Sequence, residues 1–218
     1  MGKLKEDIAA IRERDPAARS GFEIFMCYAG LHAIIYHRIS AWFYRRNLFF
    51  LARWISQFAR RRTGIEIHPA AKLGRGLFID HGMGVVIGET AEIGNNCTIY
   101  QGVTLGGTGK EKGKRHPTLG DNVVIGAGAK CLGSFTIGDN SKIAAGAVVL
   151  CDIPPNCTAV GVPARIVRRD GMKVGNLDQV HIPDPIAQDN CRLQAQIDKM
   201  NEKVDRLLEE RETDDKSI

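Results

Sequence analysis

His81 is the residue of this sequence whose type and surroundings best suit catalysis. It follows Asp80, begins the glycine-rich stretch His81-Gly82-Met83-Gly84, and lies fifteen residues after Glu66. A carboxylate that binds one imidazole nitrogen leaves the other nitrogen free to act as a general base. The sequence therefore predicts a base that deprotonates a hydroxyl as it attacks an acyl carbonyl. The alternative is a buried histidine with structural hydrogen bonds only.

A second group of candidates is Arg115-His116, near the end of a polar interval that runs from Thr108 to Pro117. An arginine can bind a substrate carboxylate through two parallel hydrogen bonds. Three lysines of the same interval suit either a polyphosphate or simple solubility. The chain has no Gly-x-Ser-x-Gly nucleophile elbow. Direct attack in a ternary complex is therefore favoured over a covalent acyl-enzyme.

A six-residue period indicates the elements that must position these side chains. A large aliphatic residue returns at this period through the middle of the chain, and glycine often follows it. This period fits neither a helix nor an alternating strand and is typical of a hexapeptide β-helix. The aliphatic positions are Ile67, Leu73, Ile79, Ile87, Ile93, Ile99, Leu105, Leu119, Ile125, Ile137, Ile143 and Val149.

The period is interrupted twice, and each interruption contains a histidine. Ile79 and Ile87 are eight residues apart, and Leu105 and Leu119 are fourteen apart. The longer interval predicts that 108–117 leaves the prism as an exposed loop, and loops on rigid scaffolds often carry function. Three repeats make one coil of roughly eighteen residues. The spacing therefore predicts that Glu66 lies one coil below His81.

The chain divides into three predicted parts of an α+β protein. Residues 1–63 form an N-terminal helical region, with a helix over 3–14 and two or three more between 20 and 62. Residues 64–169 form a left-handed parallel β-helix of hexapeptide repeats, which is the catalytic domain. Residues 170–218 form a linker, a short C-terminal helix and a charged tail. The helix is predicted from apolar residues three or four apart: Leu193, Ile197, Met200, Val204 and Leu207.

The net charge is +5, and arginines are concentrated beside aromatic residues between 38 and 62. A membrane-surface or nucleic-acid site can have this composition. We favour a packed aromatic helix face with solvated arginines, and expect neither nucleic acid nor membrane as a partner. No apolar run reaches the roughly 18 residues of a membrane span.

The six cysteines show no Cys-x-x-Cys motif and no cluster with histidine. Unpaired cysteines behave as small apolar residues and suit a reducing compartment. The sequence therefore predicts a cytoplasmic protein without a bound metal.

Four stretches carry more specific motifs. They are Ile-His-Pro-Ala-Ala-Lys-Leu-Gly-Arg-Gly (67–76), Ile-Asp-His-Gly-Met-Gly-Val-Val-Ile-Gly-Glu-Thr-Ala (79–91), Val-Thr-Leu-Gly-Gly-Thr-Gly (103–109) and Arg-His-Pro (115–117). Together they resemble the serine O-acetyltransferase family, and the resemblance covers nearly the whole chain. The repeats alone are shared by many acyltransferases, whereas the Asp-His pair with Gly-Glu-Thr-Ala and the Arg-His-Pro loop are specific.

The resemblance implies transfer of acetyl from acetyl-CoA to the hydroxyl of L-serine, the first step of cysteine biosynthesis from serine. It implies that His81 is the general base and that its acidic partner is Glu66, where the family has aspartate. Asp15 and Asp80 would hold the serine ammonium and Arg115 its carboxylate, while His116 lines the same site. The implied acetyl-CoA groove comprises Gly107, Thr108, Ala127 and Ala145.

The resemblance also implies an assembly and three kinds of partner. The family forms homotrimers, some of them paired into dimers of trimers through the N-terminal helices. L-cysteine is the implied feedback inhibitor, because it differs from serine by one atom. The terminal Ile218 matches the residue by which the family binds O-acetylserine sulfhydrylase.

Three alternatives remain open at this point. The first is acetylation of another hydroxyl, such as that of a sugar or homoserine, and a sugar would not need both Asp15 and Arg115. The second is a zinc enzyme of the γ-carbonic anhydrase type, with His68, His81 and His116 as ligands. The third is a non-catalytic scaffold that only binds the sulfhydrylase.

Overall fold

The computed structural model describes residues 3–109, 112–169 and 200. The chain divides into two compact units, Met1–Leu177 and Asp178–Ile218, so that the N-terminal helices and the β-helix belong to the same unit. Met200 is helical; the rest of the predicted C-terminal helix, the linker and Ile218 lie outside the described residues. The predicted domain boundaries stay predictions.

Four helices precede the β-helix: α1 Lys3–Arg14, α2 Gly21–Cys27, α3 Ala29–Tyr44 and α4 Phe49–Thr63. They confirm the predicted helix over 3–14 and the predicted helices between 20 and 62. The first helix ends just before Asp15-Pro16, since the residue before a proline is disfavoured in helical conformation. The last one ends at Gly64, whose left-handed backbone (φ 72°) suits a glycine cap.

Short parallel strands follow and stack into three sheets. Sheet A contains β1 Glu66–Ile67, β4 Val86–Ile87, β7 Thr104–Gly106, β10 Lys130–Leu132 and β13 Val148–Val149. Sheet B contains β2 Lys72–Leu73, β5 Glu92–Ile93, β8 Thr118–Leu119 and β11 Thr136–Ile137. Sheet C contains β3 Phe78–Ile79, β6 Thr98–Ile99, β9 Val124–Ile125, β12 Lys142–Ile143, β14 Cys157–Val160 and the antiparallel β15 Arg165–Arg169.

From β1 to β13, every third strand therefore lies in the same sheet, and the chain winds as a left-handed β-helix. The aliphatic residues of the six-residue period point inward and are buried, apart from the half-buried Leu73. The small residues four positions later are also buried, among them Ala91, Cys97 and Ser141. The interior is thus a stack of identical layers, which confirms the predicted repeat.

The turns from sheet B to sheet C form a ladder of asparagine and aspartate. The carboxylate of Asp121 accepts the backbone N–H of Asn95 (2.6 Å), and that of Asp139 accepts the N–H of Asp121 (2.7 Å). The next residue of four successive turns has a left-handed backbone: Asn96, Asn122, Asn140 and Asn156. Asparagine tolerates this conformation better than most residues, which explains its recurrence at one corner.

Helices α1 and α3 are fixed on the β-helix by close polar and backbone contacts. The guanidinium of Arg14 donates to the carbonyl oxygens of Gly76 (3.0 Å) and Cys97 (3.1 Å). Helix α3 approaches β3 so closely that a Cβ at Gly30 would lie 2.1 Å from the carbonyl oxygen of Ile79. The end of α1 and the start of α3 are therefore held beside the turn that contains His81.

The expected packing of the aromatic residues between 42 and 58 is wrong. Phe50 is 85% exposed and Trp54 60%. Helices α3 and α4 instead bury small residues: Ala33, Ser40, Ala41, Ala52, Ser56 and Ala59. Close contact through small side chains leaves the large rings on the opposite side. None of the described helices is long and apolar enough to cross a membrane.

His37 predicts an acid-sensitive component of stability. It is buried between α3 and the β-helix, where Nε2 donates to the carbonyl oxygen of Ala71 (3.1 Å) and Nδ1 has no partner among the described residues. Burial lowers the pKa of His37 from 6.5 to about 4. As the pH falls below 6.5, the unfolded chain takes up a proton that the folded chain resists. Stability on the order of 3 kcal/mol is therefore lost between pH 6.5 and about 4.

Urea unfolding of the His37→Gln variant between pH 7 and 4 measures this component. The variant should show a flatter dependence of the unfolding free energy on pH than the wild type. Ser40→Ala, on the same helix, is the matched control: it removes the hydrogen bond from Ser40 to the carbonyl oxygen of His37 (2.9 Å) but no group that titrates between pH 7 and 4, and should keep the wild-type slope. Equal slopes for His37→Gln and the wild type would contradict the assignment.

Candidate active site

The candidate residues lie on two edges of the three-sided prism. The C–A edge is formed by the turns that lead from sheet C to sheet A, at 80–84, 100–102, 126–128 and 144–146. The A–B edge is formed by the turns that lead from sheet A to sheet B, at 88–90, 107–117 and 133–135. Both interruptions of the repeat therefore fall at an edge, where extra residues do not disturb the strands.

His81 lies at the C–A edge with a strained backbone and an exposed side chain. Its φ is 56°, and the other non-glycine residues with left-handed backbone in the described part of the chain are all asparagines. Its Nε2 lies 3.9 Å from Oδ1 of Asp80, and the side chain is 75% exposed. A left-handed backbone is uncommon in any residue other than glycine, and such conformations concentrate at functional sites. This favours a catalytic over a structural histidine.

Asp15 is near enough to Asp80 for the two carboxylates to interact electrostatically. Burial raises the pKa of the Asp80 carboxyl, the His81 imidazole lowers it, and the Asp15 carboxylate raises it again. Two carboxylates that influence each other this way form a site for a cation, because a bound cation relieves their repulsion. The structure thus brings together three of the predicted residues on this edge.

Two tyrosines of this group were missed by sequence reasoning. The hydroxyl of Tyr28 donates to Oδ2 of Asp15 (2.6 Å), a bond that raises the pKa of Tyr28 to about 12. Burial is the main cause that raises the pKa of Tyr100, and the negative charges of Asp80 and Asp15 raise it further. Tyr100 lies in register with Asp80 one coil away, so aligning the repeats would have found it. Nothing in the sequence marks Tyr28.

Glu66 lies in the coil before His81 but not directly below it, since it is aligned with a residue five positions after His81. Its register partner in sheet A is Val86, twenty residues later. The first coil is longer than eighteen residues because the turn at 80–84 contains the extra ones. The Glu66 carboxylate lies 3.3 Å from Nε of Arg60. Its role as the partner of His81 stays a prediction.

The A–B edge holds Arg115 and His116 at the end of the loop. The loop is exposed at Thr108 and Gly109 and again at 112–114, whereas His116 is buried. This confirms the predicted exposed loop, except that its last residues return to the prism. The guanidinium of Arg115 forms an ion pair with Glu89, and the resulting hydrogen bond lowers the pKa of Glu89.

The imidazole of His116 contacts Thr90, the residue after Glu89. Its Nδ1 lies 2.9 Å from the Thr90 hydroxyl and 3.2 Å from the Thr90 backbone nitrogen. Burial lowers the pKa of His116, and the charge of Arg115 lowers it further. Glu89 and Thr90 were not singled out from the sequence, although both belong to the Gly-Glu-Thr-Ala motif.

The residues predicted for acetyl-CoA also divide between the two edges. Ala127 and Ala145 lie one above the other on the C–A edge, where the N–H of Gly146 donates to the carbonyl oxygen of Ala127 (2.8 Å). Gly107 and Thr108 are exposed on the A–B edge, at the start of the loop. The residues predicted to bind substrate and those predicted to bind acetyl-CoA are therefore both divided between the two edges.

The three histidines of the alternative zinc centre are not grouped within one chain. His68 and His116 are near enough to influence each other electrostatically, but His81 lies on the other edge. Across 3–109, 112–169 and 200, no three potential ligands are grouped so that they could hold a metal ion.

The two edges carry groups of complementary chemistry. The C–A edge offers a base and two carboxylates, which suit a hydroxyl and an ammonium group. The A–B edge offers a guanidinium and an imidazole, which suit a carboxylate and a further oxygen. In the described part of a single chain, these two sets of groups lie on different edges of the prism.

Comparison with known proteins identifies the family. The family model for bacterial transferase hexapeptide (six repeats) matches residues 116–151. The serine acetyltransferase of Bacillus subtilis (strain 168) is 60% identical over 195 residues, which are 89% of this chain and 90% of that protein. That of Staphylococcus aureus (strain Mu50) is 55% identical over 200 residues, which are 91% and 94% of the two chains.

Solved structures agree with this comparison. The crystal structure of Neisseria gonorrhoeae serine acetyltransferase has a TM-score of 0.75 at 49% identity, over 76% of this chain and 66% of that chain. A serine acetyltransferase in complex with cysteine has a TM-score of 0.76 at 46% identity, over 77% and 65%. The matched part is about two thirds of each solved chain. With the repeat, the fold and the groups on the two edges, these likenesses show that the chain belongs to the serine acetyltransferase family of acyltransferases.

Proposed function

We propose that this protein transfers the acetyl group of acetyl-CoA to the hydroxyl of L-serine, the first step of cysteine biosynthesis from serine. The observation that carries the proposal is the pair of carboxylates, Asp15 and Asp80, beside the exposed imidazole of His81. A sugar hydroxyl needs no such pair, whereas the ammonium group of an amino acid does. A Neisseria gonorrhoeae relative is known in complex with serine, which supports the same acceptor.

His81 acts as the general base of a direct transfer. It takes the proton of the serine hydroxyl while the hydroxyl oxygen attacks the thioester carbonyl. The tetrahedral intermediate then collapses, the C–S bond breaks, and the imidazolium returns its proton to the CoA sulfur. Glu66 orients the imidazole and stabilises its charged form once its carboxylate turns from Arg60 towards His81. No covalent acyl-enzyme is needed.

The two ends of serine are held by opposite charges. Asp15 and Asp80 bind the ammonium group, and the hydrogen bond from Tyr28 keeps one oxygen of Asp15 in place. Arg115 binds the carboxylate, with its guanidinium oriented by Glu89. His116 lines the same site. The acetyl-CoA arm lies along Ala127 and Ala145, and Gly107 and Thr108 complete the groove without side chains large enough to obstruct it.

The two half-sites meet between neighbouring chains of a homotrimer. The C–A edge of one prism faces the A–B edge of the next, so that each chain supplies the base to one site and the arginine to another. A dimer of trimers would keep the same sites. L-cysteine occupies the serine site as a feedback inhibitor, in line with a relative solved in complex with cysteine. The protein works in the cytoplasm.

Ile218 binds O-acetylserine sulfhydrylase. The residue ends a tail that carries several carboxylates, Glu209, Glu210, Glu212, Asp214 and Asp215. An apolar side chain that follows a run of carboxylates suits insertion into an apolar pocket of a partner.

Release of free thiol from acetyl-CoA tests the reaction. We expect release with L-serine and little with homoserine or a galactoside, because a galactoside lacks the ammonium group and the longer side chain of homoserine places its hydroxyl differently relative to His81. The His81→Ala variant should lower kcat roughly 10²- to 10⁴-fold, the usual contribution of a general base.

Two further variants separate the carboxylates in the same assay. Glu66→Gln should lower kcat with little change in the KM for serine, whereas Asp80→Asn should raise that KM. Arg60→Ala, which removes the present partner of Glu66, is the control and should leave kcat near wild type. Near-normal serine acetylation by His81→Ala would refute the assignment of the base.

Mixed assemblies test the shared site. Chains with His81→Ala and chains with Arg115→Ala, carrying different tags, are co-expressed and purified through both tags. Each mixed trimer has one interface with both native residues, so about one third of wild-type activity should return. Mixing His81→Ala with the double variant leaves no native interface and is the control. Activity no higher than that of the separate variants would contradict the arrangement.

Removal of Ile218 tests the partner. We expect the truncated protein to lose binding to O-acetylserine sulfhydrylase in a calorimetric titration, since the inserted side chain is gone, while serine acetylation is retained. An Ile218→Val variant, which keeps an apolar end, should bind more weakly than wild type. Unchanged binding after removal of Ile218 would exclude this mode of contact.

A further inference from the structure

The hydrogen bonds around His116 determine which of its nitrogens carries the proton. The backbone N–H of Thr90 points at Nδ1 from 3.2 Å. A backbone N–H can only donate, so Nδ1 must present its lone pair. In a neutral imidazole the proton is then on Nε2.

The hydroxyl of Thr90 supports the same arrangement. Its oxygen accepts the backbone N–H of Arg115 (3.0 Å) and the backbone N–H of His116 (3.1 Å). These two bonds use the lone pairs of the hydroxyl, and its proton remains free to donate to Nδ1 at 2.9 Å. The backbone N–H and the hydroxyl of Thr90 therefore both donate to Nδ1 of His116. The same hydroxyl also binds the backbone N–H groups of Arg115 and His116 and so positions the residue that carries the ring.

The other nitrogen of His116 is directed past Gly88. A Cβ added at Gly88 would lie 2.1 Å from Nε2 and 2.0 Å from Cδ2. Within the described residues, Nε2 has no hydrogen-bond partner and is not sealed from solvent. Burial and the neighbouring charges of Arg115 and Lys114 lower the pKa of His116, which favours the neutral ring. The Nε2–H group of His116 is therefore held in a fixed direction beside Arg115 on the A–B edge.

We infer that Thr90 is a positioning residue that holds His116 as the neutral Nε2–H form, so that His116 donates a hydrogen bond to a substrate oxygen. This rests on the proposed function and gives His116 a role distinct from that of His81. A ring held as an Nε2–H donor cannot take the serine proton through that nitrogen. Three consecutive residues have separate roles. Gly88 leaves space for the imidazole ring of His116, Glu89 orients Arg115, and Thr90 determines that the ring proton is on Nε2.

Nitrogen NMR of the full-length protein labelled with ¹⁵N-histidine measures the proton position. The His116 signals are identified by their loss in His116→Asn. At neutral pH we expect an unprotonated Nδ1 and a protonated Nε2. Thr90→Val keeps the size of the side chain and the backbone N–H but removes the hydroxyl and its hydrogen bonds. It should weaken the preference for the Nε2–H form without abolishing it, and should raise the pKa of His116. The same variant should lower kcat for serine acetylation roughly 10- to 100-fold.

Thr90→Ser is the matched control, because it keeps the hydroxyl and the backbone N–H. It should restore both the Nε2–H signal and most of the activity. If Thr90→Val only loosened the loop, His116 would lose its sharp signals and Thr90→Ser would share the defect in part. A protonated Nδ1 in the wild type, or an unchanged proton position and kcat in Thr90→Val, would overturn the inference.

The NMR measurement needs no substrate and so is independent of the proposed reaction. If the wild type failed to acetylate serine while His116 kept its Nε2–H form, the proposed function would fail and the inference about Thr90 would stand as a statement about the ring. If serine acetylation held but Nδ1 carried the proton, only the inference would fail.

Discussion

Backbone hydrogen bonds between successive coils are the constraint on which the rest of this structure depends. Each short strand pairs in parallel with the strand one turn earlier, as Val86 pairs with Glu66 and Thr104 with Val86. A strand of two residues has almost no stability alone, and its pairing is maintained by neighbours above and below. The coil geometry is therefore nearly invariant along the strands, and any residue inserted into the chain must leave through a corner.

This constraint determines where chemistry can occur. The faces are occupied by pairing and packing, and the B–C edge by the asparagine and aspartate ladder. Only the other two edges accept additional residues, two in the turn at 80–84 and a longer loop at 107–117. The strained backbone of His81 is tolerated because coils on both sides hold its turn, as when the N–H of Gly84 donates to the carbonyl oxygen of Gly64 (2.9 Å).

Sequence reasoning predicted the features that depend on local periodicity. The helices, the six-residue repeat, the buried aliphatic positions and the exposed loop follow from side-chain spacing, which acts at short range. The place of Glu66 did not follow, since the length of the first coil depends on how the turn around His81 absorbs its extra residues. The packing of Phe50 and Trp54 was also predicted wrongly.

Helical spacing shows which residues share a face of a helix. It does not show whether the face with small side chains or the face with large ones packs against the adjacent helix. Tyr28 and Thr90 act through hydrogen bonds across 13 and 26 residues, and no local pattern records such contacts.

The division of functional residues between the C–A edge and the A–B edge has a consequence for how the enzyme would respond to dilution. If each site is completed by a neighbouring chain, catalytic capacity is a property of association and obeys mass action. Below the dissociation constant of the assembly, folded chains would persist without turnover. Specific activity would then depend on the concentration of protomers. A molecule that strengthens the contact between neighbouring prisms would act as an activator without binding at either substrate site.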